Sequence, residues 1–138
     1  MKLVLLNPVL TAPEDAANME AIRRLVKWFS PRESDRTPPA GIPPGPRSLG
    51  PDDLLLLPEH FIFTGDPRVY DAFVTEMAAL AGCTVVGGSH HRKMNGRKIN
   101  YGAVVRPDGT TIVEYSKLRP YFNEQSHVVP GDAFGEFK

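Results

Sequence analysis

Two charged residues, Glu59 and Lys117, each follow closely on an apolar stretch that is predicted to form a strand. Glu59 comes after Leu54–Leu57 and before Phe61-Ile62-Phe63, so we expect a dry surround for its carboxylate. Desolvation raises the pKa of a carboxylate and favours a general base that works near neutral pH. Lys117 could stabilise a developing oxyanion, or it could be the partner that holds Glu59 ionised.

A third charged residue, Glu124, follows Lys117 by seven residues in the stretch NEQSHVVPGD. An isolated loop glutamate is usually solvated, and Pro130-Gly131-Asp132 indicates a plain turn. Taken singly, Glu59 and Lys117 have the same ordinary interpretation. A functional role is better supported for these two residues because both stand at the carboxyl ends of predicted strands, where open α/β sheets bind their ligands.

Apolar periodicity predicts the helices and strands that carry these residues. A first helix is expected from a capping box at Thr11 and Glu14, with Pro13 in its first turn, and it ends near Ser30. A second helix is expected from Asp66-Pro67 to Gly82. Strands are predicted at 2–6, 54–57, 83–88 with its continuation as the hairpin arm 85–91, 99–105 and 111–115, the first buried and the second buried on both faces.

The connections between these elements predict a mixed sheet in an α/β protein. Helical crossovers between the early strands imply parallel pairing. Asn95-Gly96 and Pro107-Asp108-Gly109 are tight-turn signals that imply antiparallel hairpins between the later strands. Residues 31–51 break the pattern with seven of the fourteen prolines of the chain, and this segment is predicted to be a long exposed loop.

Composition limits the classes of function. The 138 residues suit one domain or part of a larger one, and sixteen basic residues balance sixteen acidic ones. This balance gives no electrostatic case for nucleic acid or an anionic membrane. We find no run approaching the roughly 20 apolar residues of a membrane span. The single cysteine, Cys83, excludes an intrachain disulfide and suits the cytoplasm.

The motifs LLLLPEHF, VVGGSHH, INYGAVVRPDGTTIVEYSKLRP and EQSHVVPGD, in this order and spacing, resemble the first part of the nitrilase, or carbon–nitrogen hydrolase, superfamily. The resemblance covers nearly the whole chain except 31–51, which looks like an insertion in a partial domain spanning 1–138. It implies the first part of a four-layer α-β-β-α sandwich. It also implies a Glu-Lys-Cys hydrolase that acts on small amides, nitriles or carbamoyl compounds without a cofactor.

The same resemblance assigns roles to three residues. Glu59 in PEHF matches the general base of the family, and Lys117 in YSKLRP matches its lysine. Glu124 matches a second glutamate that positions the lysine and the substrate. Arg119 departs from the pattern, because a histidine commonly stands there in the family.

The nucleophilic cysteine implied by the resemblance is not in this chain, which ends at Lys138. Cys83 is predicted to be a buried structural thiol, since it begins a strand and would lie about 17–20 Å from Glu59 and Lys117. We therefore expect the chain alone to be inactive. It is either a fragment of a longer hydrolase, one half of a split enzyme, or a natural truncation that serves as a non-catalytic binding or regulatory partner.

The histidines and the paired glycines of the chain do not indicate a second kind of site. His90 and His91 are adjacent on a predicted strand and point to opposite faces, while His60 and His127 could approach the site without any ligand spacing, so no metal is expected. A flavodoxin-like nucleotide binder would need a phosphate loop, for which Gly87-Gly88 is too little. A half sandwich would expose an apolar face, so a homo-oligomer or a complementing half is expected.

Overall fold

The computed structural model describes residues 1–30 and 48–133. Six strands and two α-helices lie within these ranges, in the order β1 Leu3–Leu5, α1 Asp15–Phe29, β2 Leu54–Leu56, α2 Pro67–Ala81, β3 Thr84–Val86, β4 His90–Met94, β5 Arg97–Val105 and β6 Thr111–Ser116. A short 3-10 helix, Glu124–Ser126, comes after β6. Neither described helix is long and apolar enough to cross a membrane.

All six strands belong to one mixed sheet, as predicted. The strands β1, β2 and β3 are neighbours in parallel register, because α1 and α2 return the chain to the same end of the sheet each time. The later strands pair antiparallel with β5, which takes β3 and β4 along one side and β6 along the other. The turn Asn95-Gly96 joins β4 to β5 with positive φ at both residues, as the sequence signal required.

The strand predicted from Cys83 to His91 is interrupted, which corrects the expectation of one continuous element. Both β3 and β4 pair with the same side of β5, but three residues, 87–89, lie opposite only Gly102 and Ala103. One extra residue in one strand is a β-bulge, a device that bends a strand and redirects side chains beside functional sites. This bulge directly adjoins the turn that carries Glu59, since the His60 N–H donates to the Ser89 carbonyl at 2.9 Å.

The second helix forms as its sequence predicts. The Asp66 carboxylate accepts a hydrogen bond from the Arg68 N–H at 3.0 Å, and Pro67 fills the first position, where a missing N–H costs nothing. Gly82 ends the helix in the left-handed conformation with φ of 68°. The apolar side of α2 packs on the sheet through buried residues that include Tyr70, Phe73, Val74 and Met77.

The predicted capping box of the first helix is wrong. The helix begins at Asp15, and its N-cap residue Glu14 makes no side-chain cap bond in the described structure. The side chain of Asn18 holds Thr11 instead, accepting from its N–H at 2.8 Å and donating to its carbonyl at 3.0 Å. The Asp15 carboxylate is used elsewhere, because it accepts the N–H groups of Phe63 and Thr64 and fixes the segment after Glu59 to the helix.

The core lies between the two helices and one face of the sheet, where Ile22, Val26, Leu55 and Val85 are fully buried. The opposite face of the sheet is partly open, which corrects the expectation that the first strand is buried. Leu3 and Leu5 are 64% and 68% exposed because β1 is an edge strand whose alternate residues face away from the helices. Leu54 and Leu56 on β2 are half-buried on the same face, so β2 is not fully enclosed on both sides.

Most of the predicted loop 31–51 lies outside the described residues. Of its four described residues, Ser48 and Pro51 are exposed, as expected, but Leu49 is packed into the core. Leu49 is buried and its N–H donates to the Phe29 carbonyl at 3.1 Å. The Asp53 carboxylate accepts the N–H groups of Gly50 and Lys2, which ties this segment to the edge strand β1.

We expect Gly88→Ala to destabilise the protein and displace the turn that carries Glu59. A Cβ at residue 88 would overlap the backbone of Pro58, which cannot yield as a flexible side chain would. Overpacking of this kind lowers the free energy of unfolding by about 1–3 kcal/mol, and urea denaturation of the variant measures this loss. Gly65→Ala is the matched control, because no described atom lies within 4 Å of its added Cβ. Equal stabilities of the two variants would contradict the packing described.

Candidate active site

A cavity of about 530 Å³ opens at the carboxyl edge of the sheet. It is bounded by the turn after β2, by the ends of β4 and β6, and by the 3-10 helix. Among the residues that line it are Glu59, His60, His91, Lys117 and Glu124. The sheet therefore brings together at one edge the three charged residues that the sequence singled out.

Glu59 sits on a turn fixed from two sides. The Leu57 N–H donates to the Val86 carbonyl at 2.9 Å, and Gly88 lies against the backbone of residues 58 and 59. The expected dry surround is wrong, since the Glu59 side chain is 53% exposed. The neighbouring Phe61 and Ile62 turn into the core and leave the carboxylate facing the open cavity.

Lys117 leaves the end of β6 with its backbone held on both sides. Its N–H donates to the Asn100 carbonyl at 2.8 Å, and its carbonyl accepts from the Gly131 N–H at 3.0 Å. The Lys117 Nζ lies 2.9 Å from Glu59 Oε2 and 3.9 Å from Glu124 Oε2. One ammonium group thus lies between two carboxylates, and its side chain is 24% exposed.

Glu124 is the buried member, with only 8% of its side chain exposed. Its Oε1 accepts from Asn100 Nδ2 at 2.9 Å and lies 3.0 Å from His91 Nε2, while its Oε2 accepts the Tyr121 N–H at 2.7 Å. Burial alone raises the pKa of this carboxyl, but the hydrogen bonds from Asn100, Tyr121 and His91, with the charge of Lys117, outweigh burial and lower the pKa to about 2. The carboxylate therefore stays ionised and fixed.

The sequence did not identify Asn100 or His91 as site residues. Asn100 is fully buried in the middle of the apolar run of β5, and a polar residue at such a position was the available signal. The expectation that His90 and His91 point to opposite faces is confirmed. His90 is buried and stacks on Tyr70 at 4.0 Å between ring centroids, and burial lowers its pKa to about 4. His91 faces the cavity.

Cys83 is buried at the start of β3, at the end of the strand away from the cavity. Burial raises the pKa of its thiol to about 12, so it holds its proton at neutral pH. The prediction of a buried structural thiol is confirmed.

Comparison with solved structures shows which proteins share this fold. No protein-family model and no curated protein sequence matches the chain. Solved structures do match it, and three of them each cover 95% of the chain. One is XC1258 from Xanthomonas campestris, a CN-hydrolase superfamily protein. It is 19% identical to this chain, the TM-score is 0.66, and the match covers 46% of the length of XC1258.

Nit3 from Saccharomyces cerevisiae, a member of branch 10 of the nitrilase superfamily, is 17% identical with a TM-score of 0.68. The match covers 48% of the length of Nit3. A variant of the amidase from Nesterenkonia sp. AN1, in complex with butyramide, matches at 18% identity with a TM-score of 0.65 and 48% of its chain. The chain spans about half the length of these proteins. It therefore has the fold of the amino-terminal part of the nitrilase superfamily, as the sequence resemblance implies.

We expect Glu124→Gln to change how stability depends on pH. A carboxyl whose pKa is lowered by folding stabilises the native state above its unfolded value and loses this contribution as pH falls from about 4.5 to about 2. The wild-type protein should therefore exceed the variant in free energy of unfolding by roughly 2 to 3 kcal/mol at neutral pH, and the difference should shrink towards pH 2.

Urea denaturation across this pH range measures the difference directly. Glu14→Gln is the matched control, because Glu14 is exposed and makes no side-chain cap bond in the described structure. A difference between wild type and Glu124→Gln that stays constant with pH would show that Glu124 is not held ionised by its partners.

Proposed function

We propose that residues 1–138 form the first part of a carbon–nitrogen hydrolase domain, interrupted by a proline-rich insertion at 31–51. The observation that carries this proposal is the Lys117 ammonium, held 2.9 Å from Glu59 and 3.9 Å from Glu124 at the carboxyl edge of a nitrilase-type sheet. The substrate class is a small amide, nitrile or carbamoyl compound, and the chemistry is acyl transfer to a cysteine followed by hydrolysis.

In the first half of the reaction with an amide, Glu59 accepts the proton of the cysteine thiol, and the thiolate attacks the carbonyl carbon. Negative charge develops on the carbonyl oxygen of the tetrahedral intermediate, where the Lys117 ammonium stabilises it. Collapse of the intermediate breaks the carbon–nitrogen bond. The departing amine takes its proton from Glu59, which leaves a thioester and an ionised glutamate.

In the second half, a water molecule enters from the open cavity. Glu59 takes one of its protons as the oxygen attacks the thioester, and Lys117 again faces the oxyanion. The thiol leaves with that proton and the acid is released. The exposure of Glu59 suits this role, since its carboxylate is reached both by substrate and by water.

Glu124 acts as a positioning residue in this proposal. Its carboxylate is anchored to Asn100 and to the Tyr121 N–H, so its negative charge is a fixed point 3.9 Å from Lys117 Nζ. Fixed charges cost little reorganisation during the reaction. The ammonium is thereby kept facing the cavity while Glu59 exchanges protons.

The thiol has to come from outside these 138 residues, because Cys83 is the single cysteine of the chain and is buried at the other end of β3. A structure of the Nesterenkonia amidase carries the acetamide moiety of fluoroacetamide on an active-site cysteine. By analogy we place the nucleophile of this site on a continuing segment or on a complementing chain. A catalytic thiol has to stay reduced, which is consistent with a protein of the cytoplasm. Exposed Leu3 and Leu5 give such a segment an apolar sheet face to cover.

The alternative is a half-domain that binds or regulates a partner without catalysing a reaction. It would use the same apolar sheet face, but the cluster of Glu59, Lys117 and Glu124 would have no chemical role. The two proposals differ in whether the charged cluster is needed for any activity.

In the complete, cysteine-bearing form we expect Glu59→Gln and Lys117→Ala each to reduce ammonia release at least a hundredfold without unfolding the protein. Glu59→Gln removes the proton acceptor, and Lys117→Ala removes the cation that faces the oxyanion. Ammonia release from simple amides measures the rate, and circular dichroism checks the fold.

Lys93→Ala and Glu14→Gln are matched controls, because both residues are exposed and lie outside the cavity. The controls should hydrolyse amides at the wild-type rate. Turnover near the wild-type rate in either site variant would contradict the assignment of roles.

A further inference from the structure

We propose that His60, His91 and Glu124 form a binding site for a divalent transition-metal ion, of which Zn²⁺ is the best match. The three residues come from the turn after β2, from β4 and from the 3-10 helix, so no spacing in the sequence reveals them. One ligand atom from each lies within 4.8 Å of the others. The set of two imidazoles and one carboxylate is a known zinc-binding combination that leaves a fourth position open.

The distances suit a tetrahedral ion with small adjustments. His60 Nε2 lies 3.2 Å from Glu124 Oε1, and His91 Nε2 lies 3.0 Å from the same oxygen. Zinc bonds to nitrogen and oxygen of about 2.0–2.2 Å place neighbouring ligand atoms about 3.4 Å apart in a tetrahedron. Around an ion, each imidazole nitrogen has to move a few tenths of an ångström away from Glu124 Oε1. The two imidazole nitrogens, which lie within 4.8 Å of each other, have to approach to about 3.4 Å, which side-chain rotation can supply.

Three nitrogen atoms converge on Glu124 Oε1, more than this oxygen can readily accept hydrogen bonds from. Asn100 Nδ2, His60 Nε2 and His91 Nε2 all lie within hydrogen-bonding distance of this one oxygen. A carboxylate oxygen offers about two lone-pair sites, so three donors crowd it. When an ion binds, the two imidazoles carry their protons on Nδ1 instead, and both Nε2 lone pairs turn to the metal.

The backbone supports the placement of His60. This residue has φ of 53°, a left-handed conformation that histidine adopts more readily than most residues but still rarely. The conformation is held by the His60 N–H bond to the Ser89 carbonyl at 2.9 Å. It places the centroid of the His60 ring 4.8 Å from the centroid of the His91 ring, on the cavity side of the sheet.

The charges around the site also favour a cation. Glu59 and Glu124 together outweigh the single positive charge of Lys117. The open coordination position faces the cavity that, under the proposed function, receives the amide. Bound metal would then inhibit hydrolysis, and this consequence rests on the proposed function while the binding site does not.

The test is a titration of the protein with Zn²⁺ at neutral pH by calorimetry, followed by substitution with Co²⁺, whose visible absorption reports tetrahedral coordination. We expect one ion per chain and an intense tetrahedral Co²⁺ spectrum. His91→Gln and His60→Asn should each weaken Zn²⁺ binding at least tenfold. Asparagine is chosen at residue 60 because it tolerates the left-handed conformation, which keeps the turn folded.

His127→Gln is the matched control. His127 lines the same cavity but lies outside the ligand set, and it should bind Zn²⁺ within twofold of the wild type. Circular dichroism confirms that each variant is folded. The proposal is overturned if no ion binds, or if binding is unaffected by His60→Asn and His91→Gln, or if His127→Gln weakens it as strongly as they do. None of these readouts depends on hydrolysis, so the proposed function can fail while the metal site stands.

Discussion

The buried carboxylate of Glu124 is the constraint on which the rest of the site depends. An ion taken out of water must be paired and hydrogen-bonded, or its burial costs several kcal/mol. Here the carboxylate is met by the side chain of Asn100, the Tyr121 N–H and, more distantly, the Lys117 ammonium. These groups come from β5, from the segment after β6 and from the end of β6 itself. Satisfying one buried charge therefore fixes the relative positions of three parts of the chain, and Lys117 is held in place as a result.

Glu59 is positioned by a different device, which works through the backbone. The bulge at residues 87–89 separates the pairing of β3 with β5 from that of β4 with β5, and Gly88 lets the turn at Pro58 and Glu59 approach it closely. On the far side of the turn, Asp15 at the start of α1 accepts two backbone N–H groups of the following segment. The Glu59 carboxylate is thereby rigidly mounted yet open to solvent, whereas Glu124 is closed in. The two carboxylates that flank Lys117 thus have different environments, one open to solvent and the other enclosed by hydrogen bonds.

Much of this arrangement could be predicted from local signals. Asp66-Pro67 and Gly82 bound α2 because capping and left-handed residues act within a few positions, and the crossovers and tight turns predict a mixed sheet with Glu59 and Lys117 at one edge. The start of α1 could not be predicted, because the side chain of Asn18 competes for the backbone of Thr11 over a distance of seven residues. The exposure of Leu3, Leu5 and Glu59 depends on which faces the folded chain covers, and the roles of Asn100 and His91 depend on contacts between distant segments. Apart from the polar Asn100 within an apolar strand, the pattern along the chain does not indicate these contacts.

We propose that the cluster around Lys117 serves a cysteine that lies outside residues 1–138. The most direct test assays ammonia release from simple amides by the protein purified from its source, and identifies by mass spectrometry the cysteine whose alkylation stops the reaction. We expect the activity to belong to a species heavier than 15.2 kDa and the alkylated thiol to lie outside residues 1–138. Activity in a 15.2 kDa species alone, or inactivation by alkylation of Cys83, would contradict this role of the cluster. Absence of amide hydrolysis in every form would contradict it as well, and would leave the non-catalytic half-domain as the better description.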